Sequence, residues 1–424
     1  MPIMEIQSIY NAFLSCSGVN IDTRKIEQGS MFFAIKGERF DGNKFALEAL
    51  SKGASYAVVS DKSIIDDRCI FVEDTLVTLQ ELANFHRHQL KNTEFLALTG
   101  SNGKTTTKEL IAHFLSQEFK VQYTKGNLNN HIGVPLTLLS IQKETEIAII
   151  EMGANHLKEI ELLSEIAEPD CGLITNIGKA HIGEFGGQEN IFKAKTELYE
   201  FLMNKNGLIF YNSKSEWLSK ALEHYNNKIS YLENLKAISF KLLGFKPKII
   251  CEIDGEETTL DLGGAHNVQN MQCAIAVAFH FGLDPKNIKK AINSFRAPDN
   301  RSQWKKTERN NVYLDAYNSN PNSMEAAIQY VLALKDRDLI FILGEMLELG
   351  EYSQDEHSKL DALLKQNGVT YFLLGSSFMH IKSKTVFPSI SAFLEAIDVE
   401  SWKGKTVLLK GSRGMKMEQL LKHL

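Results

Sequence analysis

Residues 96–110 read LALTGSNGKTTTKEL, in which a lysine and three threonines stand directly behind two glycines. Those residue types in that order can hold a phosphate chain. Glycines let backbone N–H groups approach phosphate oxygens, and a helix N-terminus adds partial positive charge. Lys104 would reach the β- and γ-phosphates, and the Thr105 hydroxyl would ligate magnesium. The usual loop, G-x-x-x-x-G-K-[ST], needs a glycine at position 98, where the chain has Leu98. The nearer glycine is Gly100. The stretch is therefore a nucleotide loop of shorter design, or a glycine turn that caps a helix. Magnesium on a nucleotide takes hard oxygen ligands, often one or two carboxylates. Glu151 follows the apolar run EIAII and could supply one; an ordinary strand-end acid is the plain alternative. His181, in NIGKAHIGEFG, follows another apolar run, where it is either a ligand facing the same site or a structural histidine.

These side chains need a scaffold, and the flanking patterns predict one. FLALTG reads as a short buried strand feeding the loop, with a helix from about Lys104 to Phe119 behind it. EIAIIEMG and CGLITNIG read as further strands. Strands alternating with helices indicate a mostly parallel sheet with helices on both faces. Upstream, MFFAI, YAVVS and CIFV read as strands and TLVTLQELANFHRHQL as a helix. From about 207 to 262 the texture turns β-rich: GLIFYN, AISFKLL, KPKIICEID and EETTLDL read as an insertion or flank before the helix HNVQNMQCAIAVAFHFG. FRAPDNRSQW reads as a linker. VYLDAY, DLIFILG, TYFLLG and TVLLKG then resume the α/β alternation. This last block lacks G-x-G-x-x-G, so a dinucleotide fingerprint is not supported. The expected fold is α/β in three domains: a small mixed α/β N-terminal domain over 1–92, a central P-loop ATPase-like parallel sheet over 93–297, and a C-terminal Rossmann-like domain over 298–424.

Bulk properties exclude several classes. The 424 residues are 43% hydrophobic and 23% charged, enough for an ordinary core in each domain. A net charge of -5 offers no basic stripe for nucleic acid. The five cysteines are scattered and lack C-x-x-C spacing, which fits a reducing compartment and argues against a zinc site. The N-terminal segment MPIMEIQSIYNAFL does not read as a signal peptide, and no apolar run is long enough to span a bilayer. A cytoplasmic protein is expected.

Thr99 to Thr106 fit the shortened loop T-G-x-x-G-K-[ST]-T, and here the chain resembles the Mur ligase family. IDTRKIEQGSMFFAIKGERFDGNKFALEALSKGA resembles the N-terminal domain of the member that adds D-alanyl-D-alanine. NLNNHIGVP, EMGANHLKEI and residues 176–198 resemble its central domain, and DAYNSNPNSM, LGEMLELGE and LKGSRGMKM its C-terminal domain. The resemblance implies an ATP-dependent amide ligase of peptidoglycan precursor synthesis. ATP would phosphorylate the carboxylate of a UDP-N-acetylmuramoyl tripeptide, and the amine of D-Ala-D-Ala would attack the acyl phosphate. A monomer with no nucleic-acid partner and no membrane insertion is expected.

Residue by residue, the resemblance implies that Gly100, Ser101, Asn102, Gly103, Lys104, Thr105 and Thr106 cradle ATP. Thr105 and Glu151 would hold the nucleotide's magnesium, and His181 a second ion. Lys195, in IFKAKTELY, matches a lysine that several relatives carry as a carbamate; a solvated helix lysine is the alternative. Lys104, His181 and Lys195 would be the catalytic set. Asn267 and Asn270, with His266, match a pattern near the adenine, against helix capping by Asn267. Arg301 would reach ATP and Asp315 the ribose from the C-terminal domain, completing the site on closure. Tyr317, Asn318 and Asn320 would shape the same loop, unless they form only a polar turn. Asn127, Asn129, Asn130 and His131 resemble the part near the muramoyl substrate, and Thr23 and Arg24 a UDP-binding turn. Lys410, Ser412 and Arg413 would orient the dipeptide carboxylate, which arginine can grip with two parallel bonds. Three alternatives stand beside this reading: a sister ligase such as folylpolyglutamate synthase, an inactive relative acting as a docking module, and a P-loop switch or motor.

Overall fold

The computed structural model describes all residues except 1–3, 39, 233–238, 246, 299 and 337. The first three residues of MPIMEIQSIYNAFL, residue 39 of the segment that opens IDTRKIEQG, the first two residues of AISFKLL, the first of KPKIICEID and one residue of the linker FRAPDNRSQW lie outside the described residues. Four sheets organise the chain. β1 (Val19–Asn20), β2 (Met31–Phe33), β3 (Tyr56–Val59) and β4 (Cys69–Phe71) form a parallel N-terminal sheet in that order. The helix Thr75–Gln89 follows, started by Asp74, whose carboxylate accepts from Leu76 N and Val77 N.

The central sheet contains β5 (Glu94–Thr99), β6 (Val121–Tyr123), β7 (Ile147–Glu151), β8 (Cys171–Ile174), β9 (Leu208–Tyr211) and β10 (Lys228–Ser230). Its order is β10-β9-β8-β5-β7-β6 and every pairing is parallel. Both faces are covered, which is why its strands are continuous apolar runs rather than alternating ones. Phe95, Ala97, Ala148 and Ile150 pack on one side, and Leu96, Leu98, Ile147 and Ile149 on the other. β5 has β7 on one side and β8 on the other. The carboxyl end of β5 is thus a topological switch point, where open α/β sheets bind ligands.

β11 (Phe240–Phe245), β12 (Ile249–Ile253) and β13 (Glu256–Leu260) form an antiparallel meander. The expected β-rich flank is therefore smaller than the sequence implied, because GLIFYN is β9 of the main sheet. The C-terminal sheet holds β14 (Gln303–Lys306), β15 (Asn311–Asp315), β16 (Leu339–Gly344), β17 (Thr370–Leu374), β18 (Val386–Phe387) and β19 (Thr406–Lys410), in the order β14-β15-β19-β16-β17-β18. All its pairings are parallel except β14 with β15. β14 corrects the linker reading: Gln303 and Trp304 already belong to an edge strand. The indole N–H of Trp304 donates to Tyr330 Oη at 2.9 Å. The helix Pro321–Ala333 begins with a capping box between Asn320 and Ser323 and with Pro321 at its first position. The helix behind the phosphate loop runs Lys104–Leu115, one turn shorter than expected.

Candidate functional site

The loop after β5 is built around two glycines that tolerate no side chain. Gly100 has φ +141°, and a Cβ there would meet Thr175 Oγ1 at 2.0 Å. Gly103 has φ +81°, and a Cβ would lie 2.9 Å from Asn270 Oδ1. The helix Lys104–Leu115 starts from Gly103 with no side-chain cap, so its first N–H groups face the loop. The loop is stitched to the end of β8. Ser101 N donates to Asn176 O, Asn102 N to Asn176 Oδ1, and Gly178 N to Ser101 Oγ. Lys104 curls back so that Nζ donates to Gly100 O at 2.6 Å. Burial lowers its pKa, with Glu151 opposing and Arg301 adding to that shift.

Glu151, at the end of β7, is 2% exposed. Its Oε1 accepts from Thr105 Oγ1 at 3.2 Å and from Asn129 Nδ2 at 2.9 Å. Its Oε2 is buried and has no hydrogen-bond partner among the described residues. Two oxygens of hard character, Thr105 Oγ1 and the Glu151 carboxylate, thus meet beside the loop, a donor set that fits magnesium.

These residues open on a cavity of about 1050 Å³. Ser101 to Thr106 line it, as do Glu151 and His181. Asn127, Asn129, Asn130 and His131 line it from the loop after β6. His266, Asn267 and Asn270 come from the helix Ala265–His280, Asp315 and Lys410 from the ends of β15 and β19, and Arg301, Tyr317, Asn318 and Asn320 from the segments that flank β14 and β15. Among the proposed site residues, Gly100, Lys195, Ser412, Arg413, Thr23 and Arg24 are not in that lining. Thr23 and Arg24 form a short turn, where the Arg24 side chain is 85% exposed and pairs with Asp22 at 2.7 Å.

His181 sits at φ +56°, ahead of the short helix Ile182–Phe185. Its Nδ1 is 3.2 Å from Glu184 Oε2 and 3.0 Å from Glu348 Oε2, the latter from the C-terminal domain. The His181 contact holds Glu348 below the usual carboxylate range, against its burial. Among the described residues, no cluster of three or more His, Cys, Asp and Glu side chains could hold a metal. Lys195, on the helix Gln188–Asn204, is 3% exposed; its Nζ donates to Ala154 O at 3.1 Å and lies 5.2 Å from the Phe185 ring centroid. Burial, with the nearby Lys104 charge, brings its pKa down to about 7. Asn267 Nδ2 donates to Gly263 O and its Oδ1 accepts from Asn270 Nδ2, so this pair braces Gly103 from below.

The guanidinium of Arg301 stacks 3.7 Å above the Tyr317 ring centroid, and that of Arg413 lies 5.8 Å from the same ring. Lys410 is 1% exposed, and its three donors go to Asp315 Oδ2 at 2.5 Å, Asp315 O at 3.4 Å and Asn318 O at 3.2 Å. Burial opposes ionisation of Asp315, but Lys410 outweighs it and holds the carboxyl below its usual range. Ser412 Oγ accepts from Leu347 N at 2.9 Å, bracing the loop after β16.

Several contributors escape a reading of the sequence. Asn176 anchors the loop, Glu348 reaches His181, and Lys179 pairs with Glu356 across the domain boundary at 2.8 Å. Asn320 Nδ2 donates to Asn102 Oδ1 at 2.6 Å, tying the C-terminal domain to the phosphate loop. Lys108, whose Nζ stands 3.4 Å from Glu151 Oε2, carried a local signal, lying one helical turn after Thr105.

Comparisons with known proteins point one way. The Mur ligase middle domain profile matches residues 98–278, that of the Mur ligase glutamate ligase domain residues 300–413, and that of the Mur ligase catalytic domain residues 15–94. The UDP-N-acetylmuramoyl-tripeptide–D-alanyl-D-alanine ligase of Bacillus subtilis is 36% identical, over 96% of this chain and 93% of that protein. The same ligase of Escherichia coli is 33% identical, over 98% and 95%. A crystal structure of MurF from Acinetobacter baumannii superposes with a TM-score of 0.86 at 29% identity, over 100% of this chain and 99% of that one. MurF from Thermotoga maritima, in complex with ADP, gives 0.83 at 26% identity, over 97% of each chain. A mutant of L. casei FPGS shares the fold alone, at 13% identity and a TM-score of 0.56, over 82% of this chain and 94% of that one.

Proposed function

The chain belongs to the Mur ligase family, and on that premise we propose that it joins D-alanyl-D-alanine to a UDP-N-acetylmuramoyl tripeptide at the expense of ATP. One observation carries this reading: the phosphate loop and the C-terminal residues Arg301, Asp315 and Asn318 line a single cavity. Such a cavity can hold a nucleotide and an acyl acceptor together and exclude water from a reactive intermediate.

The tripeptide carboxylate attacks the γ-phosphorus, and the bridging oxygen leaves with ADP. The dipeptide amine then attacks the acyl-phosphate carbon and gives up a proton. The tetrahedral intermediate collapses, the amide forms and phosphate is expelled. Two anions must meet in the first step, and fixed positive charge there stabilises the transition state. Lys104 supplies it from within the loop. Asn102 and the first N–H groups of the loop helix orient the phosphates.

Thr105 and Glu151 would hold the nucleotide's magnesium, which supplies charge neutralisation for the phosphates. His181 and Lys195 are proposed for a second ion, Lys195 as a carbamate. The buried amine with its lowered pKa supports that modification, because only a neutral amine attacks CO2. Asn267 and Asn270 are assigned to the adenine end through the floor they build under Gly103, Arg301 to the phosphates, and Asp315 to the ribose. Asn127, Asn130 and His131 are assigned to the muramoyl part, Thr23 and Arg24 to UDP, and exposed Arg413 to the dipeptide carboxylate. Lys410 serves the site through Asp315 and Asn318. Domain boundaries near residues 92 and 297, a monomeric state and a cytoplasmic location complete the proposal. Among the described residues, no helix is long and apolar enough to cross a membrane.

Incubation with ATP, magnesium, D-Ala-D-Ala and UDP-muramoyl tripeptides ending in lysine or in diaminopimelate tests the reading, through product mass and phosphate release. Phosphate release that requires both peptide substrates is expected. Release that ignores either one would sink the assignment.

A further inference from the structure

Lys108 is a fully buried lysine in the middle of the phosphate-loop helix, with no exposure at all. A charge that deep is tolerated only when paired and hydrogen-bonded. Its Nζ donates to Thr124 O at 2.7 Å, stands 3.3 Å from Glu109 Oε1 and 3.4 Å from Glu151 Oε2, and faces the Tyr123 ring at 5.6 Å. Thr124 in turn accepts from Glu151 N through its hydroxyl at 2.9 Å. Lys108 therefore spans the ends of two neighbouring strands, one of which carries Glu151.

The two oxygens of Glu151 are treated differently. Oε1 is held by two neutral donors, Thr105 and Asn129. Oε2 faces the Lys108 charge without an aligned hydrogen bond. Thr105 and Lys108 lie three residues apart on one helix face, so the helix that cradles the phosphates also grips this carboxylate from both sides. The anchor on Thr124 O keeps Nζ from collapsing onto Oε2. The carboxylate is thus aimed from both sides while Oε2 makes no hydrogen bond among the described residues.

We propose that Lys108 is a positioning residue for Glu151, setting that carboxylate to receive the cation that accompanies the nucleotide. The inference rests on the proposed role of Glu151. Partners that orient a metal ligand typically contribute about 10–100-fold in metal affinity.

The test is calorimetric ADP binding with and without magnesium in the full chain, for wild type, Lys108→Met, Glu151→Gln and the double variant. The readout is the magnesium-dependent gain in ADP affinity. Lys108→Met is expected to keep magnesium-free ADP binding within about twofold while losing at least about tenfold of the magnesium-dependent gain. In the Glu151→Gln background, Lys108→Met should change that gain no further, and Lys108→Arg should restore part of it in the single variant. A full gain in folded Lys108→Met, with the gain lost in Glu151→Gln, overturns the proposal alone. A full gain in Glu151→Gln overturns the reading of Glu151 itself. If Lys108→Met does not fold, Glu151→Gln must rescue folding in the double variant, because it removes the charge left unpaired. An unfolded double variant beside a folded Glu151→Gln also overturns the proposal.

Discussion

Replacing Lys410 by methionine separates two readings of that residue. From sequence it could orient the dipeptide carboxylate. In the fold its three donors are committed to Asp315 and Asn318, and it is the cross-strand partner of Asp315 where β15 meets β19. Methionine keeps the length and removes the charge. Asp315 would retain one hydrogen bond, from Ser302 N at 3.1 Å. Breaking a buried ion pair by removing one partner costs about 3–5 kcal/mol. The low end, about 3 kcal/mol, applies here, because Asp315 borders the cavity and water can reach it. Urea unfolding followed by tryptophan fluorescence reads the loss, since Trp304 and Trp402 report the C-terminal domain. Steady-state kinetics reads the function. KM for ATP should rise through the displaced Asp315, and KM for D-Ala-D-Ala should stay within about twofold, since a side chain with no spare donor adds no dipeptide contact. Asp315→Asn combined with Lys410→Met should recover much of the lost stability. A rise of about tenfold or more in the dipeptide KM with unchanged stability would refute the reasoning and return Lys410 to the dipeptide site.

Asn320→Asp keeps the helix cap on Ser323 N but replaces the donor to Asn102 with an acceptor. ADP affinity should fall by about 5–100-fold, the range for an unmade buried hydrogen bond, and the unfolding midpoint should fall as well, because the lost bond also holds the folded state; titration with labelled ADP and thermal unfolding check it. Burial holds His86 and His357 below the usual imidazole value of 6.5. The unfolded chain binds protons there and the folded chain does not, so their stability contribution is complete above about pH 6.5 and is lost as pH falls through the folded values. Unfolding at about pH 7.5 and about pH 5.5 should show that loss, and His357→Gln should flatten it. Incubation with 13C-bicarbonate should give a carbamate resonance that is absent in Lys195→Arg; its presence in that variant would place the modification elsewhere.

Much of the site was legible because its signals are local. Gly100, Gly103, Lys104 and Thr105 are neighbours, and their chemistry depends on backbone that a strand and a helix define within a dozen residues. The strands of the central sheet were readable because burial on both faces makes them continuous apolar runs. β14 was not, because an antiparallel edge strand of four residues reading QWKK has no apolar run and leaves two lysines in water. The helix after the loop ends before its apolar pattern does, because Phe119 extends that pattern past the cap at Ser116.

The sequence alone thus determined the nucleotide loop, the α/β class and, through resemblance, the family. The tertiary structure decided which polar groups are spent on each other. Asn102 and Asn320 are 218 positions apart and share a hydrogen bond; Lys410 and Asp315 are 95 apart and neutralise each other; Glu151 lies between Thr105 and Lys108. Apart from the helical spacing of Thr105 and Lys108, no local pattern marks such partners. They exist only because parallel strands bring their carboxyl ends to one edge, and burial there forces each charge to find a partner.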